Sequence, residues 1–174
     1  RGNELNDAGQ YRAALADFDR AVALAPGIAR TYLGRGIARR NTGALKEALS
    51  DYDQAIKLEP QDSRAWNNRG NVRALMKDYA GAVVDFNHAV SLDSGNAMCL
   101  NNRANALLMM GQYEEAADDY RHVLRLDPAQ LNARYNLGVC QFNLGKKQLA
   151  CATWQTAARM GQGKAIEAIE KHCH

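Results

Sequence analysis

A 34-residue step runs along this chain of 174 residues. Pro26, Pro60 and Pro128 stand one and two such steps apart, with Ser94 in the skipped slot. The same step links Phe18, Tyr52, Phe86, Tyr120 and Trp154. It also links Ala14, Ala48, Ala82, Ala116 and Ala150, and then Ala21, Ala55, Ala89, Val123 and Ala157. A period kept by five consecutive copies confines the chain to repeat architectures, because each copy makes one local structure and packs on its neighbours in one way. With Ala29 as phase 1, the copies run 29–62, 63–96, 97–130 and 131–164. A copy over 1–28 precedes them and starts at phase 7.

Within each copy two helical patterns flank a break such as Asn41-Thr42-Gly43 or Met110-Gly111-Gln112, and a Pro or Gly follows the second. Each copy is thus predicted to be a helical hairpin. Small residues at phase 8 (Gly36, Gly70, Ala104, Gly138) and the alanines at phase 20 let the two helices approach, and the aromatic at phase 24 fills the space between neighbouring hairpins. One hairpin cannot bury its apolar face alone, but a stack of five can. The expectation is an all-α, right-handed α-solenoid forming a single domain over 1–174, with a concave surface made by the first helix of every pair. The stretch from Gly161 breaks phase. With Lys164, Ala165, Ile166, Ala168 and Ile169 it reads as an amphipathic capping helix over about 162–174.

These residues resemble the tetratricopeptide repeat family: Trp66, Gly70, Tyr79, Ala82, Phe86 and Ala89 in one copy, and Gly111, Tyr113, Ala116, Tyr120 and Pro128 in the next. The resemblance implies a non-enzymatic protein-binding scaffold. Lys147 and Arg134 depart from the family's aromatic and large apolar residues, so the last copy is expected to pack atypically. The family's dicarboxylate clamp is matched only at Asn3 and Arg64, since Gly34 and Asn68 occupy two more of its positions, and a clamp is not expected.

Because the copies act as their own alignment, one correlation is visible within a single chain. Phase 7 is Arg1, Arg35, Arg69 and Arg103, then Leu137; phase 23 is Asp17, Asp51, Asp85 and Asp119, then Thr153. Arg and Asp vanish together. An unpaired Arg near a hairpin interior is costly to desolvate, so Arg35, Arg69 and Arg103 are expected to pair with Asp51, Asp85 and Asp119 rather than meet a ligand.

Twelve of the fourteen asparagines fall at phases 2, 5, 6, 9, 12 or 13 of the first helix. Those phases recur at spacings of three and four and form one stripe. Asn costs a helix roughly 0.6 kcal/mol relative to Ala, so a stripe of them opposes local stability and points to function. A carboxamide carries donor and acceptor together and matches an extended peptide backbone without demanding a particular side chain. The column Asn68, Asn102 and Asn136, with Asn71, Asn105, Asn67 and Asn101 beside it, resembles the asparagine ladders of O-linked N-acetylglucosamine transferase and kinesin light chain. The other reading is that these amides bond one another and stiffen the stack. Arg30, Arg40 and Arg64 add cations to the early copies, and Met98, Leu108 and Phe142 an apolar end to the later ones.

Other functions find little support. The excess of 22 Lys and Arg over 19 Asp and Glu is too small to imply nucleic acid, and no apolar run is long enough for a membrane span. No nucleophile has a plausible base, and no phosphate loop or paired catalytic carboxylates stand out, so neither an enzyme nor a cofactor is expected. A structural or self-assembling solenoid is the alternative to a peptide binder, with an RNA-reading helical repeat behind it. No apolar signal segment is read ahead of Arg1, and a start at Arg rather than Met suggests a mature fragment or a trimmed chain. Cys99 and Cys140 read as small core residues. Cys151 and Cys173 each lie about eleven residues from a turn near Gly161 and would meet on antiparallel helices, as a disulfide or as two free thiols. His172 and His174 beside them carry only a weak zinc signal, and no metal is expected.

Overall fold

The computed structural model describes residues 1–173. Eleven helices make up its regular structure: α1 (Gly2–Asp7), α2 (Tyr11–Leu24), α3 (Ala29–Asn41), α4 (Leu45–Leu58), α5 (Ser63–Leu75), α6 (Tyr79–Leu92), α7 (Ala97–Met109), α8 (Tyr113–Leu126), α9 (Leu131–Asn143), α10 (Lys147–Arg159) and α11 (Gly163–His172). They group into two compact units, Arg1–Asp93 and Ser94–His174. In the first, α1 packs on α2, α3 on α4 and α5 on α6, while α2 meets α3 and α4 meets α5. In the second, α7 packs on α8 and α9 on α10, α8 meets α9, and α11 closes on α10. Each unit is therefore a stack of antiparallel hairpins.

The hairpin turns share one device. At phase 15 the backbone turns left-handed, at Gly9, Gly43, Gly111 and Gly145, and at Lys77 with φ 66°. Around Gly43 its own N–H reaches the Arg40 carbonyl while the Ala44 N–H reaches that of Arg39. This double closure satisfies the last carbonyls of α3 and stops the helix. The same pair of bonds recurs at Lys77 and Asp78, and at Gly145 and Lys146.

Close approach inside the hairpins comes from the small residues facing the large ring. A Cβ on Gly36 would lie 2.6 Å from the Tyr52 ring, and one on Gly70 2.8 Å from Phe86. The phase-24 aromatics therefore sit against the first helix of their own hairpin as well as between hairpins: Phe18 presses on Gly2 of α1 and on Gly34 of the next hairpin. The phase-20 alanines Ala14, Ala48, Ala82, Ala116 and Ala150 are fully buried. Leu33, Tyr52, Ile56, Ala65 and Val72 form one continuous core across α3, α4 and α5.

The last hairpin departs from the pattern at two positions. Arg134 stands where Trp66 stands two copies earlier, and both donate to the carbonyl of the preceding phase-32 proline, Arg134 to Pro128 and Trp66 to Pro60. Lys147 is exposed, where its counterparts Tyr79 and Tyr113 are half-buried. On α11, Ala165 is fully buried, and Ala168 and Ile169 pack with Trp154. Ile166, read with the apolar set, instead faces solvent, because a helix turns about 100° per residue and Ala165 already points inward. Cys151 and Cys173 form a disulfide with Cα atoms 5.7 Å apart, joining α10 to the end of α11. Cys99 and Cys140 are buried thiols outside the disulfide, and burial pushes the Cys140 thiol up to about 12. His174, the remaining metal-ligand type at this end, lies outside the described residues.

Candidate functional site

The phase-7 arginines are held in ion pairs. Arg35 donates through Nε and Nη2 to Asp51, at 2.7 Å for the shorter contact, and through Nη1 to Asp19 of the preceding hairpin at 2.8 Å. Arg69 repeats this with Asp85 at 2.6 Å and Asp53 at 2.7 Å. Arg103 makes a two-point pair with Asp119 at 2.6 and 2.7 Å. A second arginine, unremarked in the sequence reading, completes the arrangement: Arg39 reaches Asp51 at 2.7 Å and Arg73 reaches Asp85 at 3.0 Å. Asp51 and Asp85 are almost wholly buried, and two guanidinium groups each offset their desolvation. The bond to Asp51 raises Arg35 above its usual range, as that to Asp119 raises Arg103. In the last hairpin Leu137 and Thr153 replace the pair, and the Thr153 hydroxyl donates to Gln141 at 2.7 Å. One arginine thus ties three helices, its own hairpin and the one before.

The asparagines divide by what they already hold. The Tyr120 hydroxyl donates to Asn105 Oδ1 at 2.6 Å, and Asn136 Nδ2 reaches both groups at 3.2 Å. Asn6 donates to the Gly34 carbonyl at 2.8 Å. Asn41 and Asn143 each bond a carbonyl one turn back on their own helix, and Asn132 accepts from Gln162. Asn67 is buried within α5, and Asn102 is half-buried on α7; both are engaged within the chain. Asn68 accepts one long bond, from Arg40 at 3.4 Å. Asn71 and Asn101 are half-buried and make no side-chain hydrogen bond among the described residues.

The cationic and apolar candidates separate cleanly. Arg30, Arg40 and Arg64 line one cleft of about 300 Å³ in the first unit, together with Asn3, Asn6, Asn41, Leu33, Gly34 and Ile37. Arg64 forks onto Asp62, the N-cap of α5, at 2.8 and 2.9 Å, and holds that carboxyl below its usual range. Met98 is 60% exposed on α7, and Leu108 is half-buried. Phe142 belongs to the aromatic cluster under α11, with ring centroids 5.7 Å from Trp154 and 4.4 Å from His172. Among the described residues, no group of three or more His, Cys, Asp or Glu could hold a metal ion, and no helix is long and apolar enough to cross a membrane.

This arrangement, hairpins stacked through small residues and a recurring aromatic, defines an all-α repeat scaffold of the α-solenoid class. Tetratricopeptide repeat profiles match residues 1–55, 63–96, 97–130 and 132–159, and a TPR repeat profile matches 38–77. The chain belongs to the tetratricopeptide repeat family. A search of curated protein sequences found no match. Solved structures share the fold at low identity. YrrB, a TPR protein with an unusual peptide-binding site, is 22% identical with a TM-score of 0.86, covering 97% of this chain and 88% of its own. MamA from Desulfovibrio magneticus RS-1 is 19% identical with a TM-score of 0.85, covering 91% and 90%. The Pseudomonas aeruginosa PilF structure is 18% identical with a TM-score of 0.80, covering 92% and 73%. The tetratricopeptide fold supports a general role as a protein-interaction scaffold.

Proposed function

We propose that the chain binds an extended peptide or a disordered segment of another protein along its first-helix faces, using carboxamides to hold the peptide backbone. The observation that carries this is the unspent hydrogen-bonding capacity of Asn71 in the first unit, with Asn68 beside it nearly as free, and separately that of Asn101 in the second. Half-buried amides with no protein partner oppose helix propensity, and a peptide N–H and C=O would engage them. Asn105 and Asn136 act differently, since with Tyr120 they are spent on joining α7, α8 and α9. Within the second unit, Met98, exposed on α7, offers an apolar contact for a ligand side chain. The likeness to YrrB supports the reading, because the same fold there carries a peptide-binding site.

The test is selection of peptides from a random library on the immobilised full chain, followed by measurement on variants. Selected peptides should bind with micromolar or better affinity and lose it with Asn68→Ala and Asn71→Ala. Failure of the library to yield any binder, or binders indifferent to both substitutions, would overturn the proposal.

A further inference from the structure

We infer that the cleft between α9 and α11 in the second unit seats an aromatic side chain of a bound peptide, with a carboxylate on the neighbouring peptide residue drawn to Lys164 and Lys171. This rests on the peptide-binding reading above and names the side chain that anchors a peptide there.

The first observation is a change of chemistry along the repeat. Phases 5 and 9 of the first helix are Asn67 and Asn71 in α5, and Asn101 and Asn105 in α7. In α9 the same phases are Tyr135 and Val139, and phase 12 adds Phe142. Spacings of four and three keep these three on one helix face, and all of them line a cleft of about 300 Å³. That is the lower end of ligand-pocket size, with room for one large side chain rather than a helix. Trp154 of α10 and His172 of α11 complete its walls. Ring centroids lie 5.7 Å apart for Phe142 and Trp154, 6.5 Å for Tyr135 and Trp154, and 4.4 Å for Phe142 and His172, with interplanar angles of 36°, 30° and 44°. Rings tilted in this way present edges as well as faces, and a guest ring meets them in the edge-to-face and offset arrangements that aromatic pairs prefer. The indole is fixed in place, because its N–H donates to the Tyr135 carbonyl at 3.1 Å.

The second observation is charge. Lys164, Glu167 and Lys171 stand on the α11 wall at spacings of three and four. All three are exposed, and neither lysine has a carboxylate partner among the described residues. Two lysines against Glu167 leave the lining net positive by one. Beside an apolar wall an anion meets a less screened field than in open water, so a carboxylate next to the anchoring ring is favoured over an amide. The third observation is that the wall carrying these lysines is fixed. Cys173, next to His172, is linked to Cys151 of α10, and Ala165 and Ile169 pack in the Trp154 cluster. A wall already in place spares the ligand the cost of ordering α11.

The probes are three blocked dipeptides, acetyl-Phe-Glu-amide, acetyl-Leu-Glu-amide and acetyl-Phe-Gln-amide. Each is titrated into the isotope-labelled full chain, disulfide intact, to about 10 mM, enough to populate a millimolar site. Amide and indole N–H resonances are the readout, and the chain's two tryptophans give an internal control. The Trp154 indole and the Val139 and Ala168 amides should shift, while the Trp66 indole in the first unit stays in place. Phe-Glu should bind about three- to tenfold tighter than Leu-Glu, and Phe142→Leu should remove that margin. Phe-Glu should also bind tighter than Phe-Gln, by a margin that shrinks with salt and disappears in Lys164→Gln, Lys171→Gln. Circular dichroism checks both variants, and the lysine variant, at exposed positions, keeps the test open should Phe142→Leu fail to fold. No shift at Trp154, equal binding of Phe-Glu and Leu-Glu, an aromatic preference that survives in folded Phe142→Leu, or a Glu preference that survives the lysine variant would overturn the inference. The carboxamide reading is judged apart from this, on library peptides with Asn68→Ala and Asn71→Ala in the first unit. Its failure alongside Trp154 shifts with Phe-Glu would remove the carboxamides and keep the cleft, and the reverse result would do the opposite.

Discussion

Tyr52 and Tyr120 occupy the same phase, and the residue facing each decides what its hydroxyl costs. Tyr120 donates to Asn105. Tyr52 faces the position held by Ile37, so its hydroxyl is buried without a partner, and burial raises its pKa. Phe86 fills that phase in the copy between them with no hydroxyl at all. Tyr52→Phe should therefore stabilise the fold by about 1 kcal/mol, and Tyr120→Phe should destabilise it by a similar amount, read from denaturant midpoints. A loss of stability on Tyr52→Phe would show that the hydroxyl has a partner. The charged column allows a second comparison. Asp85→Thr alone leaves Arg69 and Arg73 without their buried carboxylate and should cost about 3 to 5 kcal/mol. The triple change Arg69→Leu, Arg73→Gln, Asp85→Thr copies the last hairpin's Leu137, Gln141 and Thr153, and should recover most of that loss. Equal stability of the single and triple variants would argue against a mutually dependent cluster.

At the scale of elements, α11 is secured to α10 covalently. It buries only Ala165 fully, and it packs further through Ala168, Ile169 and the His172 ring against Phe142 and Trp154. So short a helix with so narrow an apolar stripe is marginal alone. The Cys151–Cys173 link closes a loop with a sequence separation of 22, and chain entropy puts its worth at about 3 kcal/mol. Reduction, or Cys151→Ser, should release α11 first. Amide hydrogen exchange should rise across α11 while α9 and the rest of α10 stay protected. Uniform loss of protection through α9 and α10 would mean that the link holds the whole end together rather than the cap.

Across the whole molecule, what could be read in the sequence was what repeats. Hairpin boundaries, the small-to-aromatic contacts and the Arg and Asp columns each recur four or five times, and recurrence separates a packing rule from chance. The second arginine escaped because Leu107 interrupts its column after Arg39 and Arg73. The bridges from Arg35 to Asp19 and from Arg69 to Asp53 escaped because they join separate hairpins. The division of the asparagines escaped for the same reason. Whether an amide is spent depends on a partner across the stack, such as the Tyr120 hydroxyl for Asn136, and helical phase carries no such distance. Phase identified a stripe of carboxamides, while the structure separates the fastened ones from those with capacity left.

The most direct test of the peptide-binding account is to measure affinity and folding stability together on Asn68→Ala, Asn71→Ala. Two lost side-chain hydrogen bonds should weaken a selected peptide by about 1 to 3 kcal/mol. The higher helix propensity of Ala should leave unfolding unchanged or raise its midpoint. A variant that keeps its peptide while losing stability would contradict the account and make these amides part of the scaffold.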